Sequence, residues 1–99
     1  MRTAAIVPAY NEAGRIERVI SVLERISFLD DIIVVDDGST DGTLRCVDTG
    51  NGIRAVRLAR NVGKGGALAT GVRMTEADIL VFLDADLVGL RAGHVRQIF

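Results

Sequence analysis

Four short apolar runs punctuate the chain, and each breaks off in polar or glycine-rich residues. "AAIVPAY" leads into "NEAG", "IIVV" into "DDGSTDG", "IRAVRL" into "ARNVGKGG" and "ILVFL" into "DADL". Short runs rich in β-branched and aliphatic residues read as strands. Those in "AAIVPAY", "IIVVDDG" and "DILVFLDAD" are continuous enough to be covered on both faces. "IRAVRL" differs, because Arg54 and Arg57 interrupt Ile53, Val56 and Leu58, the pattern of a half-exposed or edge strand. Between the first two runs, Ile16, Val19, Ile20, Leu23 and Ile26 recur at helical spacing, with Arg15, Arg18, Glu24 and Arg25 opposite. Asn11 or Glu12 is expected to start that helix. After the second run, Ser39, Thr40 and Asp41 are N-cap candidates for a short helix expected to end near Gly50. After the third, "GKGGALATGVRM" predicts a helix of small residues able to lie close to a sheet.

The resulting order, βαβαβαβ, predicts an α/β fold: a Rossmann-like parallel sheet with helices on both faces and right-handed crossovers. In such sheets ligands bind beyond the carboxyl ends of the strands, where all four polar loops of this chain collect. "GHVRQIF" reads as the start of an amphipathic helix, with Val95, Ile98 and Phe99 on one face. A chain stopping there is expected to be a fragment, its sheet cut off after the fourth strand.

Ninety-nine residues suffice for one domain with one modest core. The 12 Lys and Arg nearly balance the 13 Asp and Glu, so no basic excess points to nucleic acid. Cys46 stands alone, which excludes an internal disulfide and any multi-cysteine metal site; an apolar filler in a reducing compartment is expected. No apolar run approaches the roughly 18 residues of a membrane span, and no signal-peptide pattern opens the sequence. The expected address is the cytosol, with docking on a membrane surface left open.

Asp84 and Asp86 stand where the fourth strand emerges. Strand alternation points both to one side. Paired carboxylates suit a hard divalent cation, Mg2+ or Mn2+, which combines few protein oxygens with substrate phosphates; two solvated acids capping the next helix is the plainer alternative. Asp36 and Asp37 are adjacent and so point to opposite sides. One is expected to cap its own turn, the other to face the rim as an acceptor for a base or ribose. "NVGKGGA" offers glycine amides and Lys64 to an anion, but lacks the Ser or Thr of a P-loop, so a glycine turn with a surface lysine weighs equally. In "PAYNE", Pro8 lacks an amide donor at the strand's end and Tyr10 is able to stack on a base. His94, the lone histidine, is assigned to the surface or a cap.

In series, "IVPAYNEAGRI", "IIVVDDGSTDGT", "NVGKGGALATGV" and "ILVFLDADL" resemble the donor-binding half of family 2 glycosyltransferases with the GT-A fold. The forms "GKG…A" and "DADL" resemble polyprenyl-phosphate sugar transferases and the glucosyl-3-phosphoglycerate synthase type. The resemblance implies that Pro8, Ala9, Tyr10 and Glu12 line the nucleotide pocket around base and ribose. It implies that Asp37 accepts a hydrogen bond from the base and that Gly63 and Lys64 lie along the nucleotide. Asp84 would contact the ribose or the metal's water shell, and Asp86 would bind the metal directly. A UDP- or GDP-sugar is the implied donor, transferred to an acceptor hydroxyl or phosphate, usually with inversion. The acceptor pocket and catalytic base are implied to follow residue 99. The 99 residues alone are therefore expected to bind donor weakly or not at all, and not to turn over. A lipid acceptor at a membrane surface and self-association through an unfinished sheet both stay open.

Two rivals compete. "VFLDADLV" approximates the motif of haloacid-dehalogenase-type phosphatases, with Asp84 as nucleophile and Asp86 as general acid/base, though three βα units precede it here. A non-catalytic nucleotide-binding or receiver-like module is the other. Receivers carry their acidic pair after the first strand, where this chain has Pro-Ala-Tyr.

Overall fold

The computed structural model of the chain describes residues 1–50 and 52–83. Strands β1 (Thr3–Ala9), β2 (Asp31–Asp36), β3 (Ile53–Arg57) and β4 (Ile79–Phe82) form one sheet in the order β3-β2-β1-β4. Every pairing is parallel. Helix α1 (Ile16–Glu24) links β1 to β2, and α2 (Lys64–Arg73) links β3 to β4. Strand order runs outward from β1 to β3 and then doubles back to β4. The reversal puts the two helices on opposite faces of the sheet and makes the β1/β4 boundary the topological switch point.

The alternation of side chains explains the two halves of the core. Ala5, Val7, Ile32, Val34 and Val81 share one face with Ile16, Val19, Ile20 and Leu23 of α1. Ile6, Ile33 and Val35 face the other way, onto Ala67 of α2. The α1 residues anticipated from periodicity are those buried, and Ile26 follows them into the core just past the helix end. The helix begins at Ile16 rather than at Asn11 or Glu12, because a turn intervenes in which the amides of Arg15 and Ile16 both donate to the Glu12 carbonyl, at 2.9 and 2.8 Å.

The expected closeness of α2 to the sheet has a specific cause. Ala67 and Gly71, one turn apart, are its buried residues. A Cβ on Gly71 would stand 2.4 Å from Cγ2 of Ile6 and 3.3 Å from Cγ2 of Val35. Both neighbours are β-branched and fully buried, so neither yields cheaply.

Three expectations are corrected. The helix after β2 does not reach Gly50; only a 3₁₀ turn, Thr43–Cys46, forms, with Gly42 rather than Ser39, Thr40 or Asp41 at its N-cap. Seven residues between the flanking Gly42 and Gly50 leave little room for a stable α-helix, and Gly42 already holds a φ of 79°. Strand β4 is not covered on both faces: Phe82 is 45% exposed, since β1 is its only partner among the described residues. Cys46 is half-buried against the α1-side core, as a filler would be. Strand β3 lies at the sheet edge, with Arg54 and Arg57 exposed.

Pro8 shapes the switch point. Even-numbered residues of β1 turn their polar groups toward β4, as the Leu83 amide donating to the Ile6 carbonyl at 3.0 Å shows. Pro8 is next in that series and has no N–H. Among the described residues the β1–β4 register runs to Ile6↔Phe82, while β1–β2 continues to Ala9↔Asp36.

The Gly71 contact predicts that Gly71→Val lowers stability by about 2–3 kcal/mol through overpacking. Gly65→Ala, where a Cβ would meet nothing within 4 Å, should instead be neutral or stabilising by up to about 1 kcal/mol. Urea denaturation of the two variants separates them, and equal effects would contradict the close-packing account.

Candidate functional site

The carboxyl ends of the strands carry the polar loops, and the end of β2 ties them together. Asp36 and Asp37 diverge as adjacent strand residues must. The Asp36 carboxylate accepts the Ser39 amide at 2.9 Å and caps its own turn. Asp37, 4% exposed, faces the other side, where its two oxygens accept the amides of Val62 at 2.7 Å and Gly63 at 3.0 Å. Its own amide donates to the Ala9 carbonyl at 2.8 Å. Ala9, Asp37 and Gly63 are thus joined by one chain of hydrogen bonds across three loops. Gly38 completes the junction: with φ at 77°, a Cβ there would lie 2.7 Å from the Asn61 nitrogen and 2.8 Å from the Arg60 carbonyl carbon. Both the left-handed backbone and the close approach require glycine.

The loop after β1 bends sharply at Asn11, whose φ is 52°. Tyr10, just before it, is 46% exposed on the rim, while Pro8 and Ala9 are buried in the strand. Glu12 is only 7% exposed, and its carboxylate accepts Nε of Arg15 at 2.6 Å. The turn is fastened to the β2 loop. Asp41 accepts the amides of Ala13 and Thr43 and the Thr43 hydroxyl. These bonds, the Thr43 hydroxyl foremost, hold the Asp41 carboxyl below its ordinary value. On the β3 side, Arg57 donates to the Ser39 carbonyl at 2.9 Å. A cavity of about 260 Å³ opens there, among Asp36, Ser39, Thr40, Gly42, Arg45 and Arg57. A larger one, about 540 Å³, runs beside α1 between Glu17 and Ile53, and none of the candidate residues lines it. The rim is favoured over it because the loop junctions meet there.

Of the residues singled out in the sequence, Pro8, Ala9, Tyr10, Glu12, Asp37, Gly63 and Lys64 stand at the ends of β1 and β2 or at the start of α2. Lys64 is exposed at the first position of α2, after Gly63 with φ at 89°. Asp84, Asp86 and His94 lie outside the described residues. What the sequence did not reveal is that Ser39, Asp41 and Thr43 serve a neighbouring loop. No local pattern signals it, because the partners lie some 28 residues away.

A family model, glycosyl transferase family 2, matches residues 4–90. The chain belongs to glycosyl transferase family 2. Among its family 2 relatives is dolichyl-phosphate beta-glucosyltransferase of Mus musculus, 35% identical over 98 residues, which take in 84% of this chain and 30% of that protein. The mannosyltransferase of Pyrobaculum calidifontis, solved with GDP-Man and Mn2+, superposes with a TM-score of 0.81 at 32% identity, over 95% of this chain and 30% of that one. Glucosyl-3-phosphoglycerate synthase of Mycobacterium tuberculosis, solved with Mn2+, UDP and glucosyl-3-phosphoglycerate, gives 0.80 at 34% identity, over 96% and 37%. The chain spans about 30% of the length of the curated relatives it matches. Both types suggested by "GKG…A" and "DADL" occur among them. The fold is the GT-A arrangement of these family 2 structures, and the matches lend no support to a phosphohydrolase or a receiver-like module.

Two predictions concern the loop junctions of this family 2 chain. Asp37→Asn would turn an amide donor toward backbone N–H groups, at a cost of about 1–3 kcal/mol. Urea denaturation should register that loss, with faster hydrogen exchange at Val62 and Gly63; an Asp37 without a structural role would leave both unchanged. For Asp41, the folded value lies below the ordinary carboxyl value of 3.8. Its stabilising contribution is therefore complete above that unfolded value and fades as pH falls through the lower folded one. The Ala13 amide shift, followed against pH, should turn over below 3.8. A midpoint at or above that value would contradict the assignment, and Asp41→Asn should abolish the transition.

Proposed function

We propose that these 99 residues form the donor-binding part of a glycosyltransferase. Sugar passes from a nucleoside-diphosphate sugar to an acceptor hydroxyl or phosphate with inversion, and the acceptor part and catalytic base lie outside this segment. The observation that carries the reading is the hydrogen-bonded convergence of the β1, β2 and β3 loops at the switch-point rim, from Ala9 through Asp37 to Gly63. It occurs in a chain whose solved relatives hold UDP or GDP-Man together with Mn2+.

On this reading Tyr10 stacks on the base, with Pro8, Ala9 and Glu12 around base and ribose. Asp37 holds the Gly63 turn and keeps acceptor capacity, because each carboxylate oxygen can take a second donor. Lys64, exposed at the start of α2, adds positive charge near base or diphosphate. The cation is Mg2+ or Mn2+. The described carboxylates of this rim are already engaged: Asp36 by Ser39, Asp37 by Val62 and Gly63, Asp41 by Ala13 and Thr43, Glu12 by Arg15. By the family resemblance Asp86 is the donor for it, with Asp84 for the ribose or the water shell, and carboxylate oxygens suit a hard cation. When bound, such an ion neutralises charge on the departing nucleoside diphosphate.

The acceptor is a phosphorylated molecule, either soluble or a lipid phosphate at a membrane surface, as the names of relatives suggest. Among the described residues no helix is long and apolar enough to cross a membrane.

The reading is tested by amide NMR titration of a chain extended through the acceptor part with UDP or GDP at millimolar concentration, with and without Mg2+. Shifts at Tyr10, Glu12, Asp37 and Lys64 should require the cation and disappear in Asp86→Ala. Cation-dependent shifts that survive in Asp86→Ala would refute the metal role. No shift with either nucleotide would refute the donor site.

A further inference from the structure

Three consecutive amides in the loop after β1 donate to side chains of the loop after β2. Asn11 donates to Oγ of Ser39 at 2.8 Å, Glu12 to Oγ1 of Thr43 at 3.0 Å and Ala13 to Oδ2 of Asp41 at 3.1 Å. Two bonds return to Oδ1 of Asn11, from the Thr40 amide at 2.9 Å and the Thr40 hydroxyl at 3.4 Å. The acceptors lie in a loop that bends at Thr40 and Asp41, turns left-handed at Gly42 and enters the 3₁₀ turn at Thr43, and its folding brings their side chains to the β1 loop. The Thr43 hydroxyl is also oriented. Its single proton goes to Oδ1 of Asp41, which leaves a lone pair for the Glu12 amide. Asn11 meanwhile keeps a left-handed φ of 52°, a conformation that needs outside support even in asparagine.

The fold has other anchors for this region. Ile16 and Leu23 of α1 are fully buried without help from these bonds, and the Ala13 and Thr40 bonds lie on the exposed side. Together with the bonds from Arg15 and Ile16 to Glu12, they hold the course of the backbone from Asn11 to Ala13, between Tyr10 and the start of α1.

We propose that Ser39, Asp41 and Thr43 are positioning residues for the donor pocket, holding the Asn11–Ala13 turn so that Tyr10 and Glu12 meet the nucleotide in one pre-set conformation. The proposal rests on the donor-binding reading above. These three side chains act through the turn and not by touching the nucleotide. A loop already ordered before binding loses less conformational freedom on binding, and affinity gains by that difference.

The test uses the same extended chain with Thr43→Val, Thr43→Ser and Asp41→Ala. Three quantities are measured for each: hydrogen exchange at Asn11, Glu12 and Ala13, affinity for UDP or GDP with Mg2+, and the thermal midpoint. Thr43→Val should speed exchange at Glu12 and weaken nucleotide binding about tenfold, the scale of one well-placed hydrogen bond. Thr43→Ser, which keeps the hydroxyl, should restore both. Since Thr43 is buried, Asp41→Ala decides the matter if Thr43→Val fails to fold. It should speed exchange at Ala13 and weaken binding at temperatures where the variant is still fully folded, whatever the fall in midpoint. Faster exchange with unchanged affinity would overturn the positioning role while leaving the donor reading intact. Absence of nucleotide binding in the unmodified chain would instead remove the donor reading, and the proposal with it.

Discussion

A carboxylate buried at the end of a strand must find hydrogen-bond donors, and Asp37 finds them in the loop that opens α2. This one requirement links the layers of the fold. The Val62 and Gly63 amides are free to donate because they precede the first turn of α2, where no helical acceptor exists for them. The same residue gives its own amide to the Ala9 carbonyl. The ends of β1 and β2 and the entrance to α2 are therefore set relative to one another by bonds around a single side chain. The sheet order supplies the place, and Asp37 supplies the join.

The other side of the rim is built by different means. Asp36 is spent on its own turn, and the β1 loop is held by Ser39, Asp41 and Thr43. The two walls thus take their order from neighbouring residues that strand alternation sends apart. Pro8 sets a limit of its own, since it leaves β1 no amide to give β4 after Ile6.

Much of this was legible in the residues themselves. The strands showed as apolar runs because a sheet covered on both sides admits little else. The divergence of Asp36 and Asp37 followed from a period of two, and the closeness of α2 from its glycines and alanines. Local pattern misled where tertiary partners decide. Ser39, Thr40 and Asp41 have the chemistry of helix caps, and such side chains do bond backbone amides here. For Ser39 and Asp41 those amides include ones in another loop, some 28 residues away, and no windowed reading of the sequence can see that distance. Phe82 resembled a covered strand residue because hydrophobicity reports what a side chain prefers, and the number of neighbouring strands decides what it receives. The family, by contrast, was readable from four motifs in order, since serial spacing carries information that no single motif holds.

Gly38 has a consequence of another kind. Its contact with Arg60 and Asn61 is backbone against backbone, so no rotamer stands between the two loops. Gaps governed by side-chain packing drift when a core residue gains or loses a methyl group. A gap governed by peptide against peptide is fixed by bond lengths and atomic radii alone. The distance between the β2 loop and the entrance to α2 therefore behaves as a ruler, one that divergence elsewhere in the core can leave unchanged.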